Sequence, residues 1–523
     1  MKKLFFISFL LFLIKTTFSQ YTNIQVNIPA STDPEEVTIA INPVNPQMLA
    51  AGANINYFYR SSDSGNNWTE MKLTSSLGVW GDPCVIFDSL GYLYFGHLSD
   101  PISGYWIDRI VVQRSTDGGL TWNDGVGIGY QYPKQQDKEW LAVDITQSQY
   151  RNNLYVAWTE FDDYGSPNSN DSSRILFSRS TDHGLTWAIP VKVSDRSGNC
   201  VDSDNTVEGA VPCVGPNGEV YLSWAGPLGL LFDKSLDGGQ TFGTDIFISS
   251  IPGGWDFDVP GIYRCNGLPI TACDISNSQY RGNIYVCWGD QRNGTTDTDV
   301  FFTRSTDGGN TWLEAKRVNN DITNRHQFFP WMTVDPITGR IYVIFYDRRS
   351  TTGTLTDVYV AKSSDGGETF ENFKVSQFSF SPNSFVFFGD YTNIAAYNSK
   401  IYPIWMRMDG TDLSVWTTQI TDTIAVTDND EENRPAYSFQ LNQNYPNPFN
   451  PNTTIGYEIP EDCFVELKVY NVLGKEIKTL LSEFKRAGSY ELNFESGNLT
   501  SGIYLYKLKA GSYSQIRKMI LLK

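Results

Sequence analysis

Histidine is nearly missing. His97, His183 and His326 are the only three in 523 residues, so a histidine-rich metal centre is excluded. Cysteine is scarce too, at seven, and no pair has zinc-finger spacing. Disulfides therefore cannot be the main framework, and an odd count leaves at least one thiol unpaired. Cys84, Cys213, Cys273 and Cys287 sit in apolar, strand-like runs and read as small core residues. Cys200 and Cys265 lie in irregular loops and are the pair best suited to a bridge, whereas Cys463 stands alone near the end. Positive charge is in deficit: 40 Lys and Arg face 58 Asp and Glu, for a net charge of −18. Such a surface repels phosphate backbones and anionic lipid, which argues against nucleic acid as a partner. Long apolar runs are absent but for one, residues 4–14. It follows Lys2 and Lys3, is interrupted by Lys15, and leads to Thr17-Phe18-Ser19. That is the pattern of a secretory signal over residues 1–19. The run is far shorter than the ~20 residues of a spanning helix, so no transmembrane span is expected.

What the chain does have is repetition. Ser, any residue, Asp, any residue, Gly, two residues, then Trp or Phe occurs six times. The copies are Ser61 to Trp68, Ser115 to Trp122, Ser180 to Trp187, Ser235 to Phe242, Ser305 to Trp312 and Ser363 to Phe370. Their aspartates are Asp63, Asp117, Asp182, Asp237, Asp307 and Asp365. The logic is that of a hairpin turn: Ser and Asp bond to nearby backbone, and Gly supplies a positive φ. The aromatic residue folds back and fills the space between neighbouring sheets. The pattern resembles the Asp-box, or bacterial neuraminidase repeat, of sialidases and their relatives.

Between boxes run short β-branched and aromatic stretches such as Leu154-Tyr155-Val156-Ala157-Trp158 and Ile341-Tyr342-Val343-Ile344-Phe345. Each module holds four, which is the blade of a propeller. Box aspartates are 54 to 70 residues apart, so several loops are long. A last module, from Tyr391 to Trp416, has no box and lacks a fourth strand. Asn23 to Ile28 can supply it and close the ring. The fold class expected is all-β: an Asp-box propeller of seven blades, or six, over residues 20–420. An acidic linker, residues 421–437, separates it from a small immunoglobulin-like β-sandwich over residues 438–523. The tail opens with Asn444-Tyr445-Pro446-Asn447-Pro448-Phe449-Asn450-Pro451, carries Val472-Leu473-Gly474 and ends Lys518-Met519-Ile520-Leu521-Leu522-Lys523. It resembles the C-terminal sorting domain of the type IX (Por) secretion system. The resemblance implies handling by that machinery across the outer membrane of a Bacteroidetes-like bacterium, then surface attachment or release.

The boxes join third to fourth strands on one face of a propeller. Loops from second to third strands, and from blade to blade, emerge on the other, and they are rich in charge and aromatics. A ring of carboxylates with arginines suits a glycan or glycoprotein partner. Glycoside hydrolysis needs a proton donor and a second group as nucleophile or base. The candidates are Asp82, Asp137, Glu139, Glu208 and Tyr391. The sialidase resemblance implies a Tyr nucleophile helped by a Glu, hence Tyr391 and Glu208, with arginines gripping a substrate carboxylate. Arg292, Asp347, Arg348, Asp390 and Arg407 are the substrate-binding candidates. The first-blade arginine of sialidases has no counterpart in Glu36-Val37-Thr38-Ile39-Ala40. The alternatives are a non-catalytic glycan- or protein-binding propeller, and a structural protein whose charged ring pairs with itself. Asp297, Asp299 and Asp357 offer oxygen ligands of the kind Ca2+ takes, or are solvated turn residues.

Overall fold

The structure is a computed structural model. It describes residues 21–422 and 439–523, apart from residues 445, 461, 462, 486, 487, 498 and 512. The signal expected over residues 1–19 lies outside the described residues, as does nearly all of the expected linker. Every regular element described is a β-strand. The chain divides into two compact units, Met1–Asp422 and Thr423–Lys523.

In the first unit, among the described residues, six antiparallel sheets of four strands and one of five follow one another along the chain. The third is representative: Gln135–Val143, Leu154–Phe161, Ser173–Ser180 and Val191–Lys192 pair in that order. Second strands are covered on both faces by neighbouring sheets, so every residue of Leu154–Phe161 and of Ile341–Asp347 is buried. This is why they read as unbroken apolar runs rather than alternating ones. Outermost strands such as Val191–Lys192 are short and partly exposed.

The innermost strand of each sheet touches that of the next, and Asn393–Tyr397 of the last touches Thr38–Ile41 of the first. The sheets therefore close a ring, and the unit is a β-propeller. Asn23–Gln25 pairs with Asp412–Thr418, with Asn23 opposite Thr418, and so supplies the outer strand of the seventh sheet as the sequence predicts. Asn27 extends the seam by accepting the Val415 amide at 2.8 Å. The inner strand of that sheet starts at Asn393, leaving Tyr391 in the connection before it.

The six repeated turns share one geometry. In the fifth, the Ser305 hydroxyl donates to Asp307 at 2.8 Å and accepts the Gly309 amide at 2.8 Å. Asp307 in turn accepts the amide and hydroxyl of Thr311. Those Thr311 hydrogen bonds hold the exposed Asp307 carboxyl down at about 2. The closing aromatic packs on the preceding sheet: Trp312 lies 5.1 Å from Phe232, and Phe370 lies 5.1 Å from Phe302, both edge-on. A cation just before each box serine ties its sheet to the next box. Arg60, Arg114, Arg179, Lys234 and Arg304 donate to the carbonyls of Gly118, His183, Gly238, Gly308 and Gly366. The seventh sheet has no box, and there Lys362 meets Asp422 instead, at 2.6 Å.

The tail forms a three-stranded and a four-stranded sheet around one core. Along Cys463–Asn471 the buried residues alternate, Val465, Leu467 and Val469 facing inward. This is a half-buried antiparallel sheet. One expectation is corrected. Cys200 and Cys265 are both buried free thiols, so the loop pair is not bridged. Their loops are held by backbone contacts instead, such as Gly165 to the Cys200 carbonyl at 2.7 Å.

Candidate functional site

At one end of the channel the inner strands begin with a recurrent irregularity. Glu36 (φ 53°), Asp82 (50°), Lys138 (52°), Gly209 (76°), Phe329 (49°) and Gly389 (79°) are all left-handed. Pairing slips between Asp137 and Trp140, between Glu208 and Val211, and between Phe328 and Trp331. Such bulges turn side chains off the pleat. Here they turn charged and aromatic groups toward the axis. Left-handed non-glycine residues are strained, and strain gathered at one place marks a candidate site.

Lys138 is the hub. Its ammonium lies 2.5 Å from Asp390, 3.5 Å from Glu36 and 3.7 Å from Asp82. Arg264 grips Asp390 from another side, Nε to Oδ1 at 2.8 Å, and reaches Asp202 at 3.6 Å. Tyr164 donates to Asp202 at 2.6 Å. Asn54 accepts the Asp82 amide at 2.8 Å and donates to Glu36. Burial opposes ionisation of Asp390, but Lys138 and Arg264 outweigh it and hold its carboxyl below the usual range. Burial also disfavours the Lys138 charge, yet Asp390, Asp82 and Glu36 prevail and keep it protonated.

The remaining carboxyls go the other way. Burial, with Asp82 next, pushes Asp137 up to about 8 despite Lys138. Burial and Asp82 also lift Glu139 and Glu36 well above their ordinary value, and burial and Asp202 do the same to Glu208. Neither carboxylate oxygen of Glu139 has a hydrogen-bond partner from another residue, nor has the Tyr391 hydroxyl.

Asp82, Lys138, Glu139, Asp390 and Tyr391 line one open pocket whose free space is about 50 Å³. That is room for a few water-sized groups. Trp140 and Trp331, 4.2 Å apart between ring centres, form its floor with Tyr391 5.7 Å from each. Beneath the two tryptophans a channel of about 310 Å³ runs between inner strands, past Ala40, Ile86, Ala142, Pro212, Ala272 and Ala395. Glu208 faces an adjoining cavity of about 30 Å³ with Asp202, Arg264 and Cys265.

The other sequence candidates are held elsewhere. Arg292 lies 2.5 Å from Asp290 and stacks 4.1 Å over Phe301. Asp347 binds Arg349 at 2.6 Å. Arg348 is buried and donates to the Pro260 carbonyl at 2.8 Å and to Thr356 at 3.0 Å. Arg407 pairs with Asp409 at 2.9 Å. None of these lines the pocket, so the arginine group that the sialidase resemblance implies is not assembled there. Asp299 accepts from Asn319 and Asn293, each at 2.6 Å, and Asp357 meets Lys374 at 2.7 Å, in a different sheet. Asp297 does not join them as a ligand set. Among the described residues no group of three or more His, Cys, Asp or Glu side chains is placed to hold a metal ion.

Sequence reasoning gave no role to Glu36, Lys138, Trp331 or Arg264. Arg264 lies in the longest interval between boxes, residues 237–307, and that length was the available signal. Its two-stranded ribbon, Asp256–Phe257 with Cys265–Asn266, carries Arg264 over the axis.

Residues 443–522 match the family described as the secretion system C-terminal sorting domain. The tail is a sorting domain. The protein is thus exported by the type IX route to the cell surface or beyond. No curated protein matches the chain. Solved structures similar to it include a protein of unknown function from Dyadobacter fermentans, 12% identical over 77% of this chain and 99% of that one, TM-score 0.43. Another is a Trypanosoma rangeli sialidase, 13% identical over 87% and 86%, TM-score 0.39. A third is a Streptococcus pneumoniae sialidase, 10% identical over 72% and 83%, TM-score 0.43. Ahead of the sorting domain, the assignment of a function rests on the pocket itself.

Proposed function

We propose that the protein is an exported glycoside hydrolase working through Asp82, Glu139 and Tyr391. The observation that carries this is their convergence on one open pocket at the mouth of the propeller. Hydrolysis needs a carboxylic acid that holds its proton and a second group to attack or activate water. Glu139 is the donor: burial keeps its proton on, and neither of its oxygens is engaged by another residue. Asp82 is the second carboxylate, and Tyr391 lies beside it. The test is hydrolysis of a panel of fluorogenic glycosides by the purified full chain. Glu139→Gln is expected to lower turnover by about 100-fold or more, with the thermal unfolding profile unchanged.

A second reading, glycan binding without turnover, is favoured by two observations. The free space in the pocket is small, about 50 Å³. Loops on the same face also expose Trp106, Tyr130 and Tyr132, the last at 73%. Aromatic faces of this kind suit a sugar ring. Glycan binding retained with no turnover on any glycoside would move the conclusion to this reading.

A further inference from the structure

Resting on the reading that the pocket takes a glycan, we propose that it selects a chain whose terminal residue carries a free ammonium group, an amino sugar rather than a sialic or uronic acid. Charge is the first ground. Glu36, Asp82, Asp137, Glu139 and Asp390 gather around a single ammonium, that of Lys138. The second cation, Arg264, is spent on Asp390 and Asp202. Among the described residues the pocket lining holds no other cation to receive a substrate carboxylate, and Arg292, Arg348 and Arg407 are committed elsewhere. An anionic end group would therefore find both cations of the cluster, Lys138 and Arg264, already paired with Asp82, Asp390 and Asp202, and no counter-charge of its own.

The second ground is the unpartnered chemistry. Glu139 is 2% exposed, lines the pocket, and has both carboxyl oxygens without a donor from another residue. The buried Tyr391 hydroxyl beside it also lacks a partner. Buried polar atoms left unpaired are costly, and a group rich in donors relieves them. An ammonium brings three donors and no acceptor.

The third ground is the floor. Aromatic faces attract cations, and the Lys138 ammonium already lies 5.6 Å from the centre of the Tyr391 ring. Trp140 and Trp331 add two further aromatic faces to the same pocket. Free space of about 50 Å³ admits such a head group end-on.

The experiment is calorimetric binding of the purified full chain to glucosamine oligomers and to N-acetylated oligomers of equal length. The expected result is that the free amine binds about tenfold tighter or better. Glu139→Gln is expected to reduce that preference to about twofold. The comparison of the two oligomers uses unaltered protein, so it holds even if the variant folds poorly. Equal or tighter binding of the N-acetylated oligomer, or binding of neither, overturns the inference. Turnover is read separately. A neutral glycoside hydrolysed without any amine preference removes the inference and leaves the hydrolase. Amine-selective binding without hydrolysis does the reverse.

Discussion

Lys138 and Asp390 lie 2.5 Å apart in space and 252 residues apart in sequence. The pair joins the third sheet to the connection before the seventh, and with Arg264 from the long interval it pins three parts of the ring at the axis.

Lys138→Met should therefore destabilise the propeller strongly. It leaves Asp390, Glu36 and Asp82 buried without their shared cation. Breaking a buried pair from one side costs about 3–5 kcal/mol. Denaturant unfolding of the variant beside the parent measures it. A loss under about 1 kcal/mol would mean that Arg264 alone balances the cluster.

Stability should fall as pH rises from about 4 to about 8. Asp137 is raised by burial to about 8, so across that window the folded protein keeps a proton that the unfolded chain has released. Its contribution is fully present below the unfolded value and lost as pH climbs through the folded one. Asp390, whose pKa is depressed, acts oppositely and only at the acid end. Asp137→Asn should make the fall between about pH 4 and 8 shallower, with Glu36, Glu139 and Glu208 keeping the rest of the slope, as read by urea midpoints across pH. An unchanged slope would remove Asp137 from the account.

The closing seam should matter more than its length suggests. Asn27 is 5% exposed and its side chain accepts the Val415 amide. Asn27→Ala leaves that buried amide unpaired, at a cost of about 1–3 kcal/mol. Removal of residues 21–28 bares the edge of Asp412–Thr418, and an open edge invites association. Size-exclusion chromatography of the truncated chain should show oligomers; a stable monomer would contradict the seam.

Two neighbouring glycines should respond differently. Both Gly308 (φ 71°) and Gly309 (φ 82°) are left-handed, but a Cβ on Gly308 meets open space whereas one on Gly309 collides with the Phe232 ring. Gly308→Ala should cost about 1–2 kcal/mol of backbone strain. Gly309→Ala should cost more, because the aromatic seam between two sheets must also shift. Thermal unfolding of the two variants checks the order.

Much of this was legible along the chain. The box turns are local: Ser, Asp and Gly act within eight residues, so their pattern survives in the sequence. A further signal sat beside it, the Arg or Lys before each box serine. It marks the tie to the next sheet, although its partner carbonyl is visible only in three dimensions. The pocket was legible in part. Asp82, Asp390 and Tyr391 could be named because they precede inner strands, and Glu139 because it stands in the charged start of one. Their partners could not. Arg264 arrives from an irregular insertion without period, and Arg292, Arg348 and Arg407 look like substrate ligands until their neighbours Asp290, the Pro260 carbonyl and Asp409 are placed. Likewise Cys200 and Cys265 share loop character but not a bond.

The sequence by itself determined the strands, the repeated turns, the closing role of Asn23–Gln25 and the sorting tail. Each is written in local periodicity or in a contiguous motif. Only the tertiary structure decided which charges face one another at the axis. Ring closure brings residues from distant sheets within a few ångströms, and burial there sets which carboxyls keep their protons.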